Sequence, residues 1–367
     1  MLMQETKSDF FVDIPDPRVV NRCLHQLSDI LFIAFITILC NGEDYEDMVT
    51  FGEQREGWLR KHISLANGIP SSDTFRRVLE RLSPELLGNI VESDGKSLLE
   101  IAGTTHICLD GKKSRGASPH TKGNDGLYIL TAWASEHKIC LGQRRVDDKS
   151  NEIVAIPKLL DKLSLEESTV TIDALGCQKE IAKKILKGEG NYLLSLKGNH
   201  GNAFDDAEWL FSQCEVDAYE ERYEYDRTRL EKRKCSVLYL DAYQKSLFEG
   251  WEGLETLVRL ESSRTQKGIA SQEVRYYMSS HLEGCPKVLG KFIRSHWSIE
   301  NHLHWHLDVT FGEDDSKIKK GFAPENMNSL RKMALQRVSK IEDKLSKKKR
   351  RYKASLNVEY LEKIVNL

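Results

Sequence analysis

No two cysteines of this chain stand at C-x-x-C spacing. The 8 cysteines are scattered as Cys23, Cys40, Cys108, Cys140, Cys177, Cys214, Cys235 and Cys285. That scatter argues against a zinc ribbon or finger. The start, MLMQETKSDFF, lacks a basic flank followed by an apolar run, so no secretory leader is expected. The thiols are therefore expected to be reduced, in a cytoplasmic, nucleoid-associated protein. A long hydrophobic run is also missing. The most apolar stretch, Leu31–Cys40 (LFIAFITILC), is too short to span a bilayer and predicts a buried helix. There is no excess of one charge: 54 Lys and Arg stand against 56 Asp and Glu, for a net charge of −2. That balance neither supports nor excludes a nucleic-acid partner, because only the binding face must be basic. Internal repeats and low-complexity tracts are absent, which sets aside repeat arrays.

What is present reads as helices followed by an α/β order. Residues 1–100 are expected to form a helical N-terminal domain. Asn67-Gly68-Ile69-Pro70 predicts a turn. Ser71-Ser72-Asp73-Thr74 then predicts an N-cap for FRRVLERL, with Phe75, Val78, Leu79 and Leu82 on one face. Two readings fit this unit. It is a DNA reader using Arg76, Arg77 and Arg81, or a packed hairpin with a solvated basic face.

Beyond residue 104, Thr105–Leu109, Leu127–Ala134, His137–Arg145, Ser168–Ile172 and Tyr192–Leu196 predict strands. Glu152–Leu163 and Cys177–Leu186 predict helices between them. This is an α/β class with a mixed sheet. Residues 200–285 read as a β-rich insertion with strands at Ser236–Tyr239, Leu257–Ser262 and Glu273–Ser279. Pro286–Val309 predicts a long helix. A basic tail over 346–367 contains Lys347-Lys348-Lys349-Arg350-Arg351, which predicts a solvated end or a phosphate contact.

Asp110 (ICLDGK) and Asp173 (VTIDALG) each end a predicted apolar strand. If those strands are neighbours, the two carboxylates face one crevice and can share a hard, oxygen-seeking cation such as Mg²⁺. Asp at a strand end is also common in ordinary turns. A third acid, Glu300, lies in HWSIENHLHWHLDV, where helical spacing puts His296, Trp297 and His304 on its face. That face offers a metal ligand, phosphate donors and a ring for base stacking. Two other readings stay open. His296, Glu300 and His304, with His302 and His306 nearby, suit Zn²⁺. Alternatively, each histidine is an ordinary hydrogen-bonded residue.

The segments LDGKKSRG, DKSNEIVAIPKLL, TIDALGCQKEIA, NYLLSLKGNHG and RSHWSIENHLHWHLDVTFGEDDSKI resemble the H-repeat-associated transposases, a group of bacterial insertion-sequence DDE transposases. IPDPR, LSDILFIAF and GIPSSDTFRRVL resemble the N-terminal domain of the same group. The resemblance covers nearly the whole chain. It implies an RNase H-like catalytic domain over 101–345, interrupted by the β-rich insertion. It also implies Asp110, Asp173 and Glu300 as the catalytic, metal-holding triad, with Mg²⁺ or Mn²⁺ as cofactor. Double-stranded DNA, both terminal inverted repeats and target, is the implied partner, with a homodimer forming on it. In the wider superfamily the Glu helix carries a Tyr, an Arg and a Lys where this chain has Ile293, His296 and Leu307. An insertion motif, His-Gly-Arg, appears as Arg227-Thr228-Arg229. Lys197, Arg294 and His296 are the candidate phosphate contacts, and Trp297 or Trp305 the candidate stacking rings. A catalytically inactive DNA-binding descendant, or a nuclease without strand transfer, remains the alternative.

Overall fold

The computed structural model describes residues 10–98, 106–116, 126–146, 152–226, 229–266 and 269–367. Arg227 and Thr228 fall outside the described residues. Four helices come first: α1 (Leu27–Leu39), α2 (Tyr45–Leu59), α3 (Ser72–Arg81) and α4 (Pro84–Leu98). The apolar stretch is indeed a helix, and α1 is buried along almost its whole length. Ser71 caps α3 as its sequence predicts, its hydroxyl accepting from the Thr74 amide at 3.3 Å. Phe75, Val78 and Leu79 face inward.

The sheet follows. β1 (His106–Ser114), β2 (Leu127–Ala134), β3 (Ile139–Val146), β4 (Thr169–Ile172) and β5 (Asn191–Leu196) lie in the order β3-β2-β1-β4-β5. β1 pairs antiparallel with β2 and parallel with β4, which pairs parallel with β5. This mixed order is the RNase H-like core that the resemblance implied. Helices α5 (Glu152–Leu160), α6 (Lys179–Lys187) and α7 (Asn202–Gln213) cover one face through Ile156, Leu159, Ile181, Ile185 and Leu210.

The insertion does not stand apart from this sheet. β6 (Ala218–Asp226), β7 (Arg229–Tyr239), β8 (Thr256–Gln266) and β9 (Ile269–Ser279) extend it to nine strands, with β9 antiparallel to β5. A short helix, α8 (Ala242–Ser246), links β7 to β8. Helix α9 (Pro286–His296) packs Leu289, Phe292 and Ile293 across the junction of β5 with the new strands. The chain then continues as π-helix over Glu300–His304 and His306–Thr310.

The other face of the core strands carries α10 (Ala323–Lys340), buried over most of its length. Helices α11 (Lys347–Leu356) and α12 (Val358–Val365) join it. The N-terminal helices share one apolar core with α10, α11 and α12, and with Cys108, Trp133 and Cys140 of the sheet. The basic run at 347–351 is partly internal. Arg351 is buried, donates to the Thr310 carbonyl and to Ile38 O at 2.7 Å, and lies over the Phe311 ring. It thereby adds a side-chain donor to the Ile38 carbonyl in the last turn of α1, which also accepts from the Asn41 amide at 3.3 Å.

Gly95 marks the closest approach of α4 to the sheet. A Cβ there would meet Cys140 O at 2.5 Å and Ile139 Cγ2 at 2.7 Å. Gly95→Ala should therefore destabilise the fold by about 1–2 kcal/mol, overpacking outweighing the roughly 1 kcal/mol helix gain. Urea unfolding reads this directly, and a stabilised variant would contradict the packing argument.

Candidate active site

The register of β1 against β4 brings the first two acids together. Leu109 pairs with Ile172, so Asp110 and Asp173 are the next residues on neighbouring parallel strands. β1 does not end there, however. Asp110 to Ser114 stay paired to Thr131 to Leu127 of β2, so Asp110 lies inside a strand rather than closing one. The parallel pairing with β4 is what stops at Leu109. Asp110 Oδ1 accepts from the Gly111 amide at 2.9 Å. Asp173 Oδ1 accepts from the Leu175 and Gly176 amides at 3.0 and 3.4 Å, a turn that fixes its carboxylate beyond the strand.

Glu300 arrives from the π-helical stretch. Its sequence, Trp297 to Thr310, repeats every four residues. Ile299, Leu303 and Leu307 are buried; Trp297, Asn301, Trp305 and Val309 are exposed. An α-helix of 3.6 residues per turn would rotate such a repeat by about 40° every four residues. The wider turns of π geometry hold the stripes straight. The stripe Glu300, His304, Asp308 runs toward β1: His304 Nδ1 is 3.5 Å from Asp110 Oδ2, and Asp308 Oδ1 is 2.6 Å from Lys112 Nζ.

Asp110, Asp173 and Glu300 line one cavity of about 230 Å³. Lys197, His296 and Trp297 line it too. Burial pushes the Asp110 carboxyl up to about 7, opposed by its Gly111 hydrogen bond and reinforced by the negative charges of Asp173, Glu152 and Glu300. His296 is held at the cavity wall by Thr171, whose hydroxyl is 2.9 Å from His296 Nδ1 and 2.9 Å from His106 Nε2. Burial lowers His296 to about 4 and His106 to about 3, so both rings are neutral at pH 7.

The remaining candidates lie elsewhere. Arg294 turns to Glu224 at 2.7 Å and does not line the cavity. Arg76 pairs with Asp73 and Glu80, and Arg77 with Asp73, all on α3. His302 Nδ1 lies 3.0 Å from Ser298 O, and His306 lies between Thr310 and Lys347. Among the described residues, no group of three His, Cys, Asp or Glu side chains closes to metal-holding distance, whether on the zinc pattern or the triad. The donor set of the triad nevertheless suits a hard cation: three carboxylates, with oxygen donors only, crowd negative charge in a partly desolvated place.

The sequence reading missed a wall of the cavity supplied by β9. Glu273, Arg275 and Tyr277 line it, and Arg275 lies 4.7 Å over the Trp297 ring while bound to Glu273 at 2.7 and 2.8 Å. Only the pairing of β9 with β5, remote in sequence, brings them there.

Profiles of known families match this architecture along most of its length. "DDE_Tnp_1-associated" matches residues 8–93, and "Transposase DDE domain" matches residues 101–337. The chain belongs to the DDE transposase family. It is 35% identical over 366 residues to "Putative transposase YncI" of Escherichia coli O157:H7, covering 97% of this chain and 93% of that protein. It is 34% identical to "H repeat-associated putative transposase YhhI" of Escherichia coli K12, covering 96% of this chain and 95% of that protein. A solved piggyBac transposase synaptic complex with hairpin DNA aligns with TM-score 0.44 and 12% identity, over 98% of this chain and 77% of that chain. That superposition is too loose to carry the fold assignment, which rests on strand order. No helix among the described residues is long and apolar enough to cross a membrane.

Proposed function

We propose that this chain is a transposase that cleaves and joins DNA with divalent metal held by Asp110, Asp173 and Glu300. The observation that carries this reading is the meeting of these three carboxylates, from β1, β4 and the late helix, in one cavity. Mg²⁺ or Mn²⁺, when bound, supplies Lewis-acid stabilisation of the attacking and leaving oxygens of phosphoryl transfer. The chain's own residues do the rest. Asp110 and Asp173 each have one carboxylate oxygen held by backbone amides, which fixes the two side chains at the cavity wall. Lys197 is exposed at the cavity and offers a charge to a DNA phosphate. Trp297, braced by Arg275, presents a ring face near the acids. His296, neutral and held by Thr171, positions the end of α9 rather than carrying charge. Water attack frees a 3′-hydroxyl at an element end, which then attacks target DNA. Two ends must be joined, so a homodimer on DNA fits.

A duplex carrying the element's terminal repeat, incubated with Mg²⁺, tests the reading. The wild type should nick it and yield joined product, and Glu300→Gln should lose both by at least a hundredfold. Full cleavage by Glu300→Gln would overturn the triad. Binding without cleavage would indicate an inactive descendant, and cleavage without joined product a nuclease.

A further inference from the structure

The late helix is fastened to β1 by a ladder of side chains. Two residues span about 6.7 Å along β1, and the side-chain contacts pair residues two apart there with residues four apart on the late helix. Asp110 faces His304, and Lys112 faces Asp308. Lys112, on the same face of β1 as Asp110, is only 11% exposed. Its ammonium also reaches Glu313 at 2.8 Å and Asp314 at 3.8 Å, in the loop that follows the helix. The same loop takes the Arg115 amide onto Asp314 Oδ1 at 2.9 Å. Glu313, 2% exposed, is held in turn by Asn328 at 2.6 Å and Arg331 at 3.8 Å from α10.

We infer that Lys112 is a positioning residue that sets where the Glu300 helix lies along β1, and so whether Glu300 reaches a cation shared with Asp110. This rests on the triad reading above. The alternative is that Lys112 merely balances buried charge. The two make opposite predictions. If charge alone matters, removing a cation two residues from Asp110 strengthens cation binding. If position matters, removing it weakens binding, because the helix loses its rung. Outer-shell partners of metal sites typically change affinity ten- to a hundredfold.

The test is Mn²⁺ binding to the full-length protein without DNA, read from the electron paramagnetic resonance of free Mn²⁺. Lys112→Met should weaken Mn²⁺ binding about ten- to a hundredfold. Lys112→Met/Glu313→Gln keeps the net charge and should weaken it similarly. Melting in EDTA establishes that each variant is folded. If both are unfolded, Asp308→Asn breaks the strand–helix rung while leaving Lys112 with Glu313, and should weaken binding several-fold. Arg145→Met, which breaks an ion pair to Glu325 of α10, should leave Mn²⁺ affinity unchanged. Tighter or unaltered binding by the charge-neutral double variant, with Asp110→Asn losing the ion, would overturn the proposal and leave the triad standing. If the wild type binds Mn²⁺ no better than Asp110→Asn, the triad reading itself fails, and this proposal with it.

Discussion

Strand cleavage by Asp110→Asn should fall at least about a thousandfold, because several kcal/mol of metal-borne charge stabilisation is lost at 1.36 kcal/mol per tenfold. Asn keeps the shape and an oxygen that can accept from the Gly111 amide. It removes the charge that sits at the centre of the cavity, beside Asp173. Duplex binding, measured by anisotropy in EDTA, should be nearly unaffected, so the loss falls on chemistry. The pH dependence supplies a second readout. Burial holds the metal-free Asp110 carboxyl up at about 7, so a proton competes with the cation below that pH. Cation affinity of the wild type should fall as pH drops through 7. The same shift means that the metal-free fold binds this proton more tightly than the unfolded chain does. It therefore loses stability as pH rises from about 4 toward 7. Asp110→Asn should flatten both trends. Retained cleavage would place the chemistry elsewhere.

Asp94→Ala should be the most damaging change far from the cavity. Asp94 of α4 and Arg337 of α10 form an ion pair whose side chains are each 1% exposed. Arg337 Nε donates to Asp94 Oδ1 at 2.9 Å, and Gln336 Nε2 donates to Asp94 Oδ2 at 3.1 Å. The guanidinium also donates to Val365 O at 2.9 Å and lies 4.3 Å over the Phe10 ring. One residue thus joins α4, α10, α12 and the N-terminal segment. Removing the aspartate strands a buried cation, which costs about 3–5 kcal/mol. The urea midpoint should drop accordingly with little change of slope. Asp94→Leu/Arg337→Met should recover most of it, because removing both charges together leaves neither stranded. A loss below about 1 kcal/mol for Asp94→Ala would show the pair to be dispensable.

The candidate site was partly legible in the sequence, in that the three acids singled out there line one cavity of the fold. Apolar runs ending at Asp110 and Asp173 marked the two strands, and the unusual Glu300 segment marked a helix with several distinct faces. Where β1 ends was not legible. The turn-like DGK looks like a stop, but β2 keeps pairing with it to Ser114. The helical spacing that grouped Glu300 with His296, Trp297 and His304 held in part. His296 and Trp297 share its cavity, while His304 lies against Asp110. Arg275, Glu273 and Tyr277 carried no local signal, because a sheet edge far along the chain delivers them. Arg351 was hidden for the opposite reason. A run of five basic residues reads as solvent-facing, but tertiary carbonyls from α1 and the π-helix recruit one of them into the core.

The shared core of α1 with α10, α11 and α12 has a consequence for synthesis. At 5–20 residues per second, roughly 15–60 s separate the emergence of α1 from that of α10. Through that interval α1 can already pack on its early neighbours, as Phe32 does on Trp58 of α2 and Phe35 on Phe11, but the part of its apolar surface that α10, α11 and α12 cover has no final partner. The nascent chain therefore carries a sticky helix through most of its own translation, and its yield in a cell should depend on chaperones that shield it until the last helices arrive.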